Sequence, residues 1–236
     1  MPYTHFRFIA YEVPTATSKP GGDVESGFDA GQEYQFISRL PVPGDIPDDA
    51  RKRLKRLAGI VNLAANQLKF DLPDNDNTLK IFMAPEFYFR PPAALGANYR
   101  SDTYPHSVAA KIFSALGDMF THADFKNWLI VPGSIMWNTS EDTLAPKVIY
   151  YNSSFQIAGG PVVKSGDNLN YIEKEMPSGI DGVPYGPGMD PSVKMAYERW
   201  KSRKHRVFKV DNIDCGLEIC LDHGFRKKGG VIVSDH

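Results

Sequence analysis

The chain has 236 residues, 42% of them hydrophobic, which is enough for one large domain or two small ones with a sizeable core. Its 27 basic and 28 acidic residues nearly cancel, and the formal net charge of −1 gives no electrostatic footprint for nucleic acid or an anionic membrane. We therefore expect a single domain over residues 1–236 that acts on a small molecule, with no nucleic acid and no membrane as partner.

The N-terminal stretch "MPYTHFRFIAYEV" has no basic segment followed by an apolar one, and no run of about 18 apolar residues occurs in the chain. The only two cysteines, Cys215 and Cys220, lie five apart in what the pattern predicts to be one strand. Alternation would point them to opposite faces of that strand, so no disulfide between them is expected. These features predict a cytoplasmic protein.

The first half of the chain alternates strand and helix patterns. "HFRFIAYEV" is rich in β-branched and aromatic residues and predicts a strand, whereas the Gly, Pro, Ser and Asp of residues 15–47 predict a long loop or lid. Apolar residues at helical spacing follow from Asp48, and "TLKIFMAPEF" then predicts a strand with Glu86 at its end.

The second half begins with helical spacing over residues 106–120. Strands are predicted at "NWLIVPGSI" and "KVIYYNSSFQIA", with "GGPVVK" as a hairpin return, and at "HRVFKVDN" and "DCGLEICL". Residues 165–191 are predicted to be a loop, and a short helix is predicted at 192–202. This order of predicted strands and helices indicates an α/β (α+β) protein with two stacked sheets and outer helices, although a doubly wound single sheet would give a similar order.

Three chemically competent residues lie at or beyond predicted strand ends: Glu86, Lys174 and Cys220. A thiol attacks as its thiolate, a carboxylate can take the thiol proton, and a cation can stabilise developing negative charge. Together they indicate acyl transfer through a thioester. Each residue alone also has a structural interpretation: a buried small hydrophobe for Cys220, an exposed charge for Glu86, and a solvated loop lysine for Lys174.

The order of short motifs resembles the nitrilase (carbon-nitrogen hydrolase) superfamily over nearly the whole chain. The matching words are "MAPEFYF", "VPGSI", "YYNSSFQIAGGPVV", "YIEKEMP" and "CGLEICLDHGF". The resemblance implies a four-layer α-β-β-α sandwich, with Glu86 as general base, Lys174 as oxyanion stabiliser and Cys220 as nucleophile. Lys164 is the fallback for the cation, because "KEMP" departs from the family's commoner sequence.

The same resemblance implies hydrolysis of a non-peptide carbon-nitrogen bond in an amide, a nitrile or an N-carbamoyl compound. Leu221 would offer its backbone N–H to the oxyanion, and Asp222 would orient the nucleophile segment. No metal and no cofactor are needed, and a homodimer or larger homo-oligomer is expected. Only sixteen residues follow Cys220, so the sandwich is expected to be shortened or truncated at its C-terminus.

Substrate contacts are predicted for aromatic residues near Glu86 and for an arginine near Cys220, with core packing as the alternative for the aromatic residues and a surface charge for the arginine. The candidates are Phe87, Tyr88, Trp137 and Arg226. Glu173 and Glu175 could add site carboxylates, but adjacent acidic residues on a loop are more often solvated.

Two other functions remain open. "SGDNLN" and "VIVSDH" faintly resemble metal-dependent phosphodiesterases of the endonuclease/exonuclease/phosphatase type, in which Glu86 would hold Mg²⁺ and Asp167, Asn170, Asp235 and His236 would complete the site. A catalytically inactive interaction module is the third hypothesis. Sensitivity to a chelator and the reactivity of the thiol would distinguish the three.

Overall fold

The computed structural model describes residues 3–13, 43–71, 77–91, 103–141, 148–161, 169–174, 207–211, 213–217 and 219. This part of the chain forms nine strands, two α-helices and a short 3-10 helix at Ala123–Phe125. The strands are β1 His5–Ala10, β2 Thr78–Met83, β3 Tyr104–Pro105, β4 Trp128–Val131, β5 Ser134–Asn138, β6 Tyr150–Ala158, β7 Leu169–Glu173, β8 Val207–Val210 and β9 Ile213–Gly216. The helices are α1 Asp48–Asp71 and α2 His106–Met119.

A mixed α/β fold is confirmed, as are two of the three predicted helices and the strands at "HFRFIA" and "TLKIFM". Helix α1 follows its apolar period, since Leu54, Leu57 and Val61 are fully buried. Asp48 and Asp49 lie in its first turn, where their negative charges interact favourably with the positive end of the helix dipole. Most of the predicted loop at 15–47 and the whole predicted helix at 192–202 lie outside the described residues.

Two predictions for the second half were wrong. The predicted loop at 165–191 contains β7, which pairs antiparallel with β6 over five residue pairs. Its sequence, LNYIE, alternates only weakly and stands between polar, glycine-rich segments, so cross-strand pairing outweighs the local turn signal. The last strand also ends earlier than predicted, at Gly216. Cys215 lies in this strand, whereas Cys220 lies outside the described residues.

The main sheet has the order β1-β2-β4-β6-β5-β3, with β7 pairing β6 outside this path. Strands β1, β2 and β4 are parallel to one another, whereas β6 runs antiparallel to β4, β5 and β7. Strands β4 and β5 pair separate parts of β6, and the part that β7 pairs overlaps both of these. Strands β4 and β5 therefore share one edge of β6, and β7 occupies the other. The sheet is thus mixed and not an all-parallel doubly wound sheet.

The junction of β4 and β5 is a β-bulge. Ile130 lies opposite Ile157 and Ser134 lies opposite Ser154. Four steps on one strand therefore match three on the other, which leaves one extra residue between β4 and β5. Such bulges bend a strand and change the direction of nearby side chains.

The two faces of the main sheet are covered differently. Both helices pack on one face, in a cluster that includes Leu57, Phe82, Ile112 and Ile130. On the opposite face, Leu79 and Leu129 contact the hairpin β8–β9 in a second cluster. The described residues therefore form three layers: helices, main sheet and hairpin. In the described part of the chain, no helix is both long and apolar enough to cross a membrane.

Candidate functional site

Glu86 projects from a turn that leaves the sheet between two backbone contacts. Before the turn, the Ala84 N–H donates to the Val131 carbonyl at 2.8 Å, and after it the Phe89 N–H donates to the Ser134 carbonyl at 3.0 Å. The strand edge that receives these bonds contains the bulge. The bulge and the turn therefore lie side by side, and the turn lifts Glu86 out of the pairing pattern.

Gly133, in the bulge, is needed at this contact. Its φ is +84°, and a Cβ there would lie 2.4 Å from the Pro85 carbonyl oxygen and 2.6 Å from the Tyr88 Cβ. The next residue, Ser134, accepts the Phe87 N–H at 2.8 Å through its Oγ. Phe87 itself has a φ of 63°, a left-handed conformation that is costly for a large side chain. The backbone beside Glu86 is therefore strained and held from several sides.

Glu86 is bound by two side chains from strands that lie farther across the sheet. Its Oε1 accepts one hydrogen bond from Asn152 Nδ2 at 2.8 Å and another from Lys174 Nζ at 2.9 Å. Asn152 is in β6, and Lys174 directly follows β7. The Lys174 N–H also donates to the Asn152 carbonyl at 2.8 Å. The two donors to Glu86 are thus fixed next to each other by strand pairing.

Lys174 has no solvent exposure, whereas the Glu86 side chain is 21% exposed. The Lys174 ammonium also lies 5.6 Å from the centre of the Phe87 ring, a favourable cation–π position. A buried ammonium requires an opposite charge and hydrogen-bond acceptors to offset lost hydration. The interpretation of Lys174 as a solvated loop lysine does not fit this position, and the fallback residue Lys164 lies outside the described residues.

A depression of about 100 Å³ opens beside Glu86 on the sheet face opposite the helices. Its apolar wall is formed by Met83, Ala84, Val131, Leu217 and Ile219. Gly133, Ser134 and Ser154 also line it. The Ser154 hydroxyl donates to the Gly133 carbonyl at 2.8 Å, so it stabilises the bulge from inside the depression. A carboxylate therefore stands at the rim of a small, mainly apolar cavity.

The nucleophile segment is only partly described. Cys220, Leu221, Asp222 and Arg226 lie outside the described residues, whereas Ile219, which directly precedes Cys220 in the sequence, lines the depression and is 5% exposed. Of the residues named for a metal site, Asp167, Asp235 and His236 also lie outside the described residues. Asn170 is part of β7 and donates to the Gln156 side chain at 2.9 Å.

The predicted aromatic substrate contacts separate into two groups. Tyr88 and Trp137 belong to the hydrophobic cluster on the helix side, which matches the core alternative given for them. Tyr88 exchanges hydrogen bonds with Arg53 of α1, and Trp137 stacks on Tyr151 at a centroid distance of 4.1 Å. Phe87 is buried in the strained turn with its ring facing Lys174.

Glu173 lies on the helix-facing side of the sheet, because β7 alternates and Lys174 faces the other way. It is buried and accepts a hydrogen bond from the Tyr171 hydroxyl. Tyr171 in turn contacts Ser153 Oγ at 3.0 Å, which accepts the Trp137 Nε1–H at 2.9 Å. The expectation of a solvated glutamate was wrong for Glu173, since this chain of contacts is inside the protein; Glu175 lies outside the described residues.

Cys215 differs from a catalytic thiol. It is half-buried in β9 and packs in the cluster of Leu79 and Leu129. Burial, and secondarily the negative charge of Asp214, raise the pKa of its thiol. Both effects disfavour the thiolate that nucleophilic attack requires.

Asn152, Ser154 and Gly133 were not assigned roles from the sequence. For Asn152 and Ser154 the signal was a group of polar residues inside "YYNSSFQIA", an otherwise apolar strand, where a buried polar side chain must find a hydrogen-bond partner. The identity of that partner depended on strand register. No family model, curated protein or solved structure matches the chain.

Proposed function

We propose that the chain is a hydrolase of non-peptide carbon-nitrogen bonds that works through a Cys220 thioester, within a four-layer nitrilase-like sandwich. The observation that carries the proposal is the contact of Lys174 with Glu86. Two residues that lie 88 positions apart and were selected for complementary chemical roles form a buried ion pair. A solvated pair would be of little interest, but a fully buried ammonium that is paired with a carboxylate at a cavity rim is costly to maintain.

The geometry suggests different roles for the two carboxylate oxygens of Glu86. The hydrogen bonds from Asn152 and Lys174 to Glu86 both end at Oε1. In the proposed reaction Oε2 takes the thiol proton, and Asn152 is a positioning residue that holds the carboxylate. Ile219 in the wall of the same depression supports a thiol at the following position reaching this oxygen.

The proposed steps for an amide are as follows. The Cys220 sulfur forms a bond to the carbonyl carbon as Glu86 takes the thiol proton. The negative oxygen of the tetrahedral intermediate is stabilised by Lys174, a contribution of about 3 kcal/mol for one such donor. Glu86 then passes the proton to the nitrogen, the carbon-nitrogen bond breaks and ammonia leaves. Water, losing a proton to Glu86, adds to the thioester, and the acid is released as the thiol reforms.

The metal-dependent phosphodiesterase alternative has less support. The carboxylate that would bind Mg²⁺ already contacts an ammonium at 2.9 Å, and a divalent cation on the same oxygen would be repelled by that charge. An inactive interaction module would have no need to maintain a buried ion pair at a cavity rim.

The test is ammonia release from amides, nitriles and N-carbamoyl amino acids in buffer with EDTA. Activity should persist with the chelator, vanish in Cys220→Ala and fall by a factor of about 10² to 10⁴ in Glu86→Gln. Cys215→Ala is the matched control and should keep full activity. Loss of activity on chelation would instead support the metal-dependent alternative. A folded wild type that is inactive on every compound would support the interaction module.

A further inference from the structure

The depression beside Glu86 restricts what can bind next to the reacting group. Five of the described lining residues are apolar, and Glu86 is the one charged residue among those described. The hydroxyl of Ser154 donates to the Gly133 carbonyl, so it is already engaged within the bulge. A polar or charged substituent would therefore lose its hydration with little replacement.

Charge adds to this restriction. A substituent with its own carboxylate would approach the carboxylate of Glu86 and be repelled by it. Lys174 is already paired with Glu86 and serves the oxyanion in the proposed reaction, so it is not available to a second anionic group. The lining thus favours an uncharged group.

Volume limits the size of the group. An apolar cavity of about 150 Å³ is large enough for benzene, and the depression here has about 100 Å³. A chain of roughly three to five non-hydrogen atoms would fill it.

We propose that the substrate is a short, uncharged aliphatic amide or nitrile whose acyl chain occupies this depression. The inference rests on the proposed function, because Glu86 and Cys220 must act at the rim for the depression to receive the acyl group. Val131, in β4, and Ile219, beyond the end of β9, would set the accepted chain length.

The experiment measures kcat/KM for straight-chain amides from acetamide to octanamide, with benzamide and succinamic acid as bulky and charged comparisons. We expect a maximum near butanamide and values at least about tenfold lower for octanamide, benzamide and succinamic acid. Val131→Ala should move the maximum toward longer chains. Leu63→Ala, a truncation of an exposed apolar residue of α1 on the other side of the sheet, should leave the profile unchanged.

The outcomes separate the two proposals. Turnover that requires Cys220 but is fastest for a long, aromatic or charged amide would overturn the inference about the substrate and leave the proposed function standing. Turnover of no compound by a folded wild type would overturn the proposed function and the inference with it. The wild-type series decides the matter even if Val131→Ala does not fold.

Discussion

At the scale of single residues, the contact between Glu86 and Lys174 is asymmetric. Lys174 has no solvent exposure, whereas 21% of the Glu86 side chain is exposed. Water can therefore hydrate a lone carboxylate at position 86 but not a lone ammonium at position 174. The loss of Glu86 should harm the folded state more than the loss of Lys174.

This asymmetry gives a prediction for a double-mutant cycle. Glu86→Gln should lower the free energy of unfolding by about 3 kcal/mol, because it leaves a buried charge without this counter-charge. Lys174→Met should cost about 1 to 2 kcal/mol. The double variant should lose less unfolding free energy than the two single variants together, by at least about 1 kcal/mol. Urea denaturation measures all four proteins, and strictly additive losses would show that the two groups do not interact.

Cys215 gives a prediction for pH dependence. Its raised pKa means that the folded state holds the thiol proton more tightly than the unfolded state does. Cys215 therefore stabilises the fold below the thiol's ordinary pKa, and this contribution is lost as pH rises above it. In a Cys220→Ala background, alkylation of Cys215 by iodoacetamide should be slow at pH 7 and accelerate only in alkaline buffer.

Asp214→Asn tests the cause of that shift. Removing the negative charge should move the alkylation profile of Cys215 to lower pH, but only part of the way, because burial is the larger cause. A profile that does not move would show that the charge of Asp214 has no influence on the thiol.

The site residues were predictable from the sequence to different degrees. Glu86 was identified by its chemical type at the end of a predicted strand, and Lys174 by its chemical type and by the resemblance of "YIEKEMP" to a family motif. Their ion pair could not be predicted, because it depends on β7, whose alternation is too weak to separate it from a loop. Asn152 was missed for the same reason, since its role follows from its register beside Lys174.

At the scale of elements, the bulge between β4 and β5 determines how the Glu86 turn lies on the sheet. One extra residue bends the strand, Gly133 allows the Pro85 carbonyl to approach, and Ser134 holds the Phe87 N–H. None of these contacts is a contact of Glu86 itself. The orientation of the carboxylate is therefore a property of two neighbouring elements.

Gly133→Ala should accordingly damage both stability and activity. The added Cβ would clash with the Pro85 carbonyl and would force a left-handed φ on alanine, at a cost of about 2 to 4 kcal/mol. Gly44→Ala is the matched control, because no heavy atom lies within 4 Å of a Cβ at that position. Thermal unfolding and amide hydrolysis should be nearly normal in the control. Equal behaviour of the two variants would contradict the close approach at Gly133.

At the scale of the whole molecule, the pattern of apolar residues was enough to predict an α/β fold and both described helices. The strand order was not predictable, because β6 pairs with three strands that come from different parts of the sequence. The hairpin β8–β9 on the second face is held to the main sheet by the small cluster around Leu79 and Val210. This second layer should be less strongly attached than the helix side.

Val210→Asp tests that difference. A charge in the small cluster should remove amide hydrogen-exchange protection from β8 and β9 and leave α1 and α2 protected. Lys209→Arg, an exposed change on the same strand that keeps the positive charge opposite Asp214, should leave both regions unchanged. Simultaneous loss of protection in the helices and the hairpin would show that the layers unfold as one unit.

The separation of 88 residues between Glu86 and Lys174 also has a consequence for synthesis of the protein. A ribosome adds about 5 to 20 residues per second, so Glu86 exists for roughly 4 to 18 seconds before its cation is made. Asn152 is itself 66 residues beyond Glu86, so for most of that interval β6 has not been made either, and once made it first has no β7 beside it. Glu86 can acquire its final hydrogen bonds only after β7 and Lys174 leave the ribosomal exit tunnel. Their formation is therefore a late event in the synthesis and folding of each molecule.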